Sequence, residues 1–219
     1  MAMSPNERLS GRFDTFVFDW DATLTTVKLL RKLNERLNPQ WAYRKRKSME
    51  MIEKNPGSFR NKSIRRKIRI TEAKEGVAFL ADLSLYLMKP RLQNDSREVL
   101  QILKQKRKKV ALFTNGAAWR VLRELAYLGI EDYFTAIVSA QDLNALKPNP
   151  LGLEVIVKAL HASKERTIYI GDMANDVDTA KYCGVHSCAI ANGFDSYQKL
   201  KDSRPDYLFR TMESLKNSL

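Results

Sequence analysis

Thr15-Phe16-Val17-Phe18-Asp19-Trp20-Asp21-Ala22-Thr23 is a short apolar run that stops at two carboxylates one residue apart. Phe16, Val17 and Phe18 have the aromatic and β-branched make-up of a strand buried on both faces. The polar DxDxT that follows sits where such a strand opens into a loop. In a parallel sheet the carboxyl end of a strand is where ligands bind. Asp19 and Asp21 are expected to project there, one at the strand tip and one just beyond. At that spacing they can share a divalent cation or divide nucleophilic and acid–base work.

From residue 91 onward the chain alternates. Asp95-Ser96 offers an N-cap to a helix lined by Val99, Leu100 and Leu103, with lysines and an arginine at its end. Val110-Ala111-Leu112-Phe113 is an apolar strand ending in Thr114-Asn115-Gly116. Residues 119–128 read as a helix closed by Gly129, and Ala136-Ile137-Val138 as a strand. A helix over 151–161 precedes the strand Thr167-Ile168-Tyr169-Ile170, which ends in Gly171-Asp172. A helix through Ala180, a strand near 186–191, a further strand at 206–209 and a final helix complete the series. Strands alternating with helices predict right-handed βαβ units and an α/β fold with a doubly wound, Rossmann-like parallel sheet.

The segment between the first strand and residue 91 is different. Val27, Leu30, Leu33 and Leu37 recur at helical spacing with Lys28, Arg31, Lys32 and Arg36 between them, and Pro39 stops the run. No period-2 pattern occurs before Pro90. The spacing predicts an all-helical insertion over 24–90 that splits a core made of 10–23 and 91–219. Charge divides the same way. Sixteen Lys and Arg stand against five Glu between Val27 and Gly76, whereas the whole 219-residue chain carries a formal charge of +13. Such a face either is simply solvated, or meets a polyanionic substrate or nucleic acid. The absence of an aromatic-rich RNA motif or zinc-ligand spacing disfavours nucleic acid as the main partner.

Hydrophobic content of 44% and charged content of 29% fit a globular protein rather than a disordered or fibrous one. Residues 1–12 have no apolar segment of the signal-peptide kind, and the longest apolar-rich stretch, 76–88, is shorter than the ~20 residues of a membrane span. A cytoplasmic address is the expectation. Cys183 and Cys188, two thiols at a helix end and a strand start, are expected to be buried and reduced.

Four polar clusters fall at or just past predicted strand ends: Asp19 with Asp21, Thr114-Asn115-Gly116, Lys147-Pro148, and Gly171-Asp172 with Asp176. Singly, each has an ordinary structural reading as a helix cap, a loop lysine or an acidic first turn. Together they meet one chemical requirement. Carboxylates serve Mg²⁺, one carboxylate attacks, a hydroxyl and neighbouring N–H groups take phosphoryl oxygens, and one cation neutralises charge.

In this order the clusters resemble motifs one to four of the haloacid dehalogenase superfamily, and the insertion lies where the phosphoglycolate phosphatase type carries a helical C1 cap. The resemblance implies a Mg²⁺-dependent phosphatase acting on a phosphorylated small molecule. Asp19 would attack the phosphoryl group and become a transient aspartyl phosphate. Asp21 would act as acid and then base, with its backbone carbonyl on the metal. Thr114, Asn115, Gly116 and Lys147 would hold the phosphate, and Asp172 and Asp176 would complete the metal site with Asp19. A phosphomutase keeps the same residues. A phosphonatase would need a Schiff-base lysine in the cap, and a dehalogenase of this superfamily lacks the second aspartate, so Asp21 argues for phosphate chemistry. Ala22 replaces the family's usual glycine, and its turn is therefore expected to lie in ordinary backbone space.

Overall fold

The computed structural model describes residues 8–26 and 89–219. The chain divides into two units, Met1–Val27 with Met88–Leu219, and Lys28–Leu87; only the first contains described residues. The helical insertion expected over 24–90, and its basic surface, therefore lie almost wholly outside the described residues. Its two ends are described. Thr25 bridges Leu92 in antiparallel fashion, Thr26 N–H donates to Arg91 O at 2.8 Å and Gln93 N–H to Leu24 O at 2.8 Å. The segment thus leaves and rejoins the core side by side, a few residues after the first strand.

In chain order the described elements are α1 (Leu9–Arg12), β1 (Thr15–Phe18), α2 (Ser96–Gln105), β2 (Lys109–Thr114), α3 (Ala118–Leu128) and β3 (Ala136–Ser139). Then come α4 (Leu151–Ala159), β4 (Thr167–Gly171), α5 (Ala174–Cys183), β5 (His186–Ile190), α6 (Tyr197–Asp202), β6 (Tyr207–Phe209) and α7 (Met212–Asn217). Short 3₁₀ turns occupy Glu131–Tyr133 and Lys164–Arg166. All six strands pair in parallel in the order β3-β2-β1-β4-β5-β6, the doubly wound arrangement expected.

The central strand shows why. Its four residues are all buried, and successive side chains leave on opposite faces. Phe16 and Phe18 join Leu100, Leu103, Leu112 and Leu215 on one side, while Val17 joins Phe113, Leu153, Ile156 and Tyr169 on the other. A strand apolar on both faces can only sit mid-sheet with helices covering it twice. Cys183 and Cys188 are free and buried, as expected. Among the described residues no helix is long and apolar enough to cross a membrane.

Local details depart from the sequence reading. Asp95 occupies the N-cap position of α2, but at φ 63°, and its side chain makes no cap bond; instead Lys216 of α7 donates to its carboxylate. A tertiary ion pair has displaced the local cap. The fourth helix ends at Ala159 rather than near residue 161, where His161 turns to φ 46°. Helix α6 is not apparent in the sequence because only Leu200 is buried in its six residues, too few to set a period; Ser196 caps it by accepting from Lys199 N–H.

Candidate active site

The sheet order contains one reversal. The chain winds outward from β1 through β2 to β3, then crosses back to β4 on the other side of β1. The crevice at the carboxyl ends of β1 and β4 is the topological switch point, where such sheets bind ligands. Phe18 is in register with Ile170, and Asp19 N–H donates to Ile170 O at 2.8 Å. Asp19 and Asp172, far apart in sequence, therefore leave neighbouring strand ends together.

Lys147 reaches this crevice from the loop before α4. Its Nζ lies 2.5 Å from Asp19 Oδ1 and 2.9 Å from Asp176 Oδ1, over the rings of Phe113 and Tyr169. Thr23 Oγ is 3.2 Å from Asp19 Oδ2 and 2.9 Å from Asp172 Oδ1, so a single hydroxyl proton serves two carboxylates. Asp172 Oδ2 accepts from Phe194 N–H at 2.6 Å. Asp176 is fully engaged: Oδ1 accepts from Lys147 and Tyr169, and Oδ2 accepts from Met173 N–H. It also caps the first turn of α5, the ordinary role its position suggested. Two glycines make room. A Cβ on Gly171 would fall 2.3 Å from Asp176, and one on Gly193 would fall 2.0 Å from Asp172.

Asp19, Asp172 and Asp176 each offer a carboxylate oxygen within 4.8 Å of one another, and all three are buried. Three carboxylates against one lysine leave net negative charge in a place poor in water. Burial, with Asp176 and Asp21 nearby, pushes the Asp19 carboxyl up to about 7 against the pull of Lys147. Burial and the neighbouring Asp19 and Asp176 raise the Asp172 carboxyl well above the usual carboxylate range. Lys147 is held above its ordinary value by Asp176 and Asp19, which outweigh its burial. Hard oxygen donors carrying excess negative charge suit a divalent cation such as Mg²⁺. Among the described residues this is the one such cluster.

The other expected residues are nearby in different roles. Thr114 ends β2, and its Oγ accepts from Gly116 N–H at 2.9 Å, so it shapes its own loop and does not cap α3. Asn115 Oδ1 accepts from Lys147 N–H at 3.0 Å, tying that loop to the lysine's. Asp21 stands apart from the three clustered carboxylates. Its side chain is 24% exposed and forked by Arg120, with Nη2 to Oδ2 at 2.6 Å and Nη1 to Oδ1 at 3.1 Å. Sequence reasoning singled out neither Arg120 nor Glu124. A signal existed: both share the face of α3 that carries Val121 and Leu125, and a charged i,i+4 pair on an apolar stripe has to be satisfied inside the protein.

Ala22 corrects an expectation. It adopts φ 66°, the left-handed region that glycine would enter freely, rather than ordinary backbone space. Thr25 Oγ donating to Trp20 O, Thr25 N–H donating to the same oxygen, and Gln93 Nε2 donating to Ala22 O fix the turn regardless of its residue. Left-handed backbone costs an alanine about 1–2 kcal/mol, partly offset because alanine has less chain entropy to lose on folding than glycine. Ala22→Gly is accordingly expected to raise stability by up to about 1 kcal/mol in urea denaturation. A loss instead would mean that the buried methyl contributes more than the strain.

The family model for haloacid dehalogenase-like hydrolases matches residues 16–190. The pyrophosphatase PpaX of Halalkalibacterium halodurans is 30% identical over 118 residues, 54% of this chain and 55% of that protein. A phosphoglycolate phosphatase of Haemophilus influenzae is 29% identical over 119 residues, 54% of this chain and 53% of that one. The chain spans about half the length of the curated relatives it matches. The crystal structure of a predicted phosphatase from Clostridium acetobutylicum superposes with a TM-score of 0.68 at 18% identity, covering 94% of this chain and 97% of that one, a likeness of fold. The family match spans most of the chain and runs through all four clusters at the strand ends, and on that ground the chain belongs to the haloacid dehalogenase-like hydrolases.

Proposed function

We propose that the protein is a Mg²⁺-dependent phosphatase that hydrolyses a phosphate monoester through an aspartyl phosphate on Asp19. The observation that carries this reading is the convergence on Asp19, at the switch point, of Lys147 at 2.5 Å and of the Asp172 and Asp176 carboxylates. A carboxylate can approach a phosphate dianion only where cations cancel their repulsion. Lys147 supplies one such charge, and Asp176 with Tyr169 orients it.

Asp19 and Asp172, with the Asp21 main-chain carbonyl, would hold the metal, while Asp176 stands behind Lys147. When bound, a divalent cation neutralises phosphate charge beside the nucleophile. Asp19 Oδ attacks phosphorus and the ester oxygen departs, taking a proton from Asp21. Asp21 then takes a proton from the water that displaces phosphate from Asp19, which frees Asp19 as a carboxylate and returns Asp21 to its acid form. Thr114 Oγ and the loop N–H groups beside it offer donors to the phosphoryl oxygens. Asp21 favours this chemistry over dehalogenation, because a halide leaves without a proton. The relatives named as phosphatases support the substrate class. The insertion over 24–90 would choose among esters as a cap.

The test is a screen of phosphate monoesters with Mg²⁺ and with a chelator. Release of inorganic phosphate that the chelator abolishes and Mg²⁺ restores is the expected result. Turnover indifferent to chelation, or isomerised sugar phosphate in place of free phosphate, would overturn it.

A further inference from the structure

Arg120 is 1% exposed, although it is a long cation on a helix one turn from the site. Its guanidinium is held from behind by Glu124, with Nη1 at 3.1 Å from Oε1 and 3.0 Å from Oε2, and Glu124 accepts from Trp20 Nε1 at 2.6 Å. In front it grips both oxygens of Asp21. Trp20 neighbours Asp21 in sequence, so the chain of contacts closes on itself through α3 and the loop after β1.

Gly116 is the opening through which this contact is made. A Cβ there would lie 2.1 Å from Arg120 Nη2 and 3.1 Å from Asp21 Oδ2. Its φ is not in the left-handed region, so space rather than backbone freedom requires the glycine. Gly116 belongs to the same loop as Thr114, whose hydroxyl accepts its N–H, and Ser139 Oγ donates to its carbonyl at 2.9 Å. The fork therefore registers Asp21 against the loop that would hold the phosphate.

We propose that Arg120, anchored by Glu124 and Trp20 and admitted by Gly116, is a positioning residue that sets the place and plane of the Asp21 side chain, whose acid form gives the leaving oxygen its proton and whose carboxylate takes one back from the attacking water. The inference rests on the phosphatase reading above. Asp21 lies on a loop beyond the strand tip and is partly exposed, where an unsupported carboxylate samples several rotamers. A planar guanidinium sets both the place and the plane of a carboxylate, which a lysine ammonium cannot do. A residue acting in this way matters most where the leaving oxygen needs a proton, and least where it is stable as an anion.

The experiment compares an alkyl phosphate with a nitrophenyl phosphate in the wild type and in Arg120→Lys, Gly116→Ala and Asp21→Asn. Arg120→Lys and Gly116→Ala should each raise the aryl-to-alkyl ratio of kcat by on the order of ten-fold, in the direction of Asp21→Asn, and Arg120→Lys should do so with KM changed little. If Arg120→Lys does not fold, the double variant Arg120→Met with Glu124→Leu removes the buried charges together and carries the same expectation. Equal losses on both esters, or an unchanged ratio in an active variant, would show a structural residue and overturn the inference while leaving the phosphatase reading intact. A wild type inactive on both esters would remove that reading, and this inference with it.

Discussion

Asp19→Asn should abolish turnover, by at least on the order of 10⁴-fold, without unfolding the protein. The loss follows from chemistry, because an amide oxygen is a poor nucleophile and the substituted residue cannot regenerate a free carboxylate by hydrolysis. Retention of the fold follows from the contacts. The amide oxygen of the substituted side chain can still accept from Lys147, which keeps Asp176 as its charged partner. The amide nitrogen can point toward Thr23 Oγ, whose proton then turns wholly to Asp172. Steady-state kinetics with a good substrate, beside a thermal melt and a search for phosphorylated enzyme by mass spectrometry, would check both halves. Activity near wild type in a clean preparation would exclude Asp19 as nucleophile.

Asp172→Asn should do something less usual, namely stabilise the metal-free protein while removing its response to metal. Burial raises the carboxyl groups of both Asp19 and Asp172, with Asp176 and Asp21 adding to it at Asp19 and with Asp19 and Asp176 adding to it at Asp172. A raised carboxyl binds its proton more tightly in the folded state. Its contribution is therefore present below the unfolded value of about 4 and is lost as pH climbs through the folded value, about 7 for Asp19. In chelator the wild type should lose stability between about pH 4 and 7. Asparagine can accept from Phe194 N–H through Oδ1 and donate to Thr23 Oγ through Nδ2, so no buried group is orphaned. The variant should then exceed wild type at pH 8 by on the order of 1–3 kcal/mol, with the gap closing toward about pH 4. Mg²⁺ should raise the melting temperature of the wild type and leave the variant unmoved. Chemical denaturation across pH, with and without Mg²⁺, measures all of this. A variant less stable than wild type at pH 8 would mean that Asp172 is held by its hydrogen bonds rather than strained by its neighbours. Active sites commonly give up stability in this way to keep a binding group in place.

What was legible in the sequence was whatever repeats or ends locally. The apolar run at Phe16, Val17 and Phe18, its echoes at residues 110–113 and 167–170, and the helices between them determined a doubly wound parallel sheet. Because each strand stops at a polar cluster, they also placed Asp19, Thr114, Lys147 and Asp172 near a common edge. A helix stayed hidden where a single buried residue sets no period, as at α6, and a cap lost its local bond where a distant partner captured it, as Lys216 does with Asp95. Only the tertiary structure decided how the polar groups are shared. It gave Asp21 to Arg120, 99 residues away, gave Asp176 to Lys147 and Tyr169, and forced Ala22 to φ 66°. The physical reason is that hydrophobic periodicity is a property of neighbours along one chain segment, whereas the partner of a buried charge is set by which strand ends and loops the completed fold brings within about 3 Å.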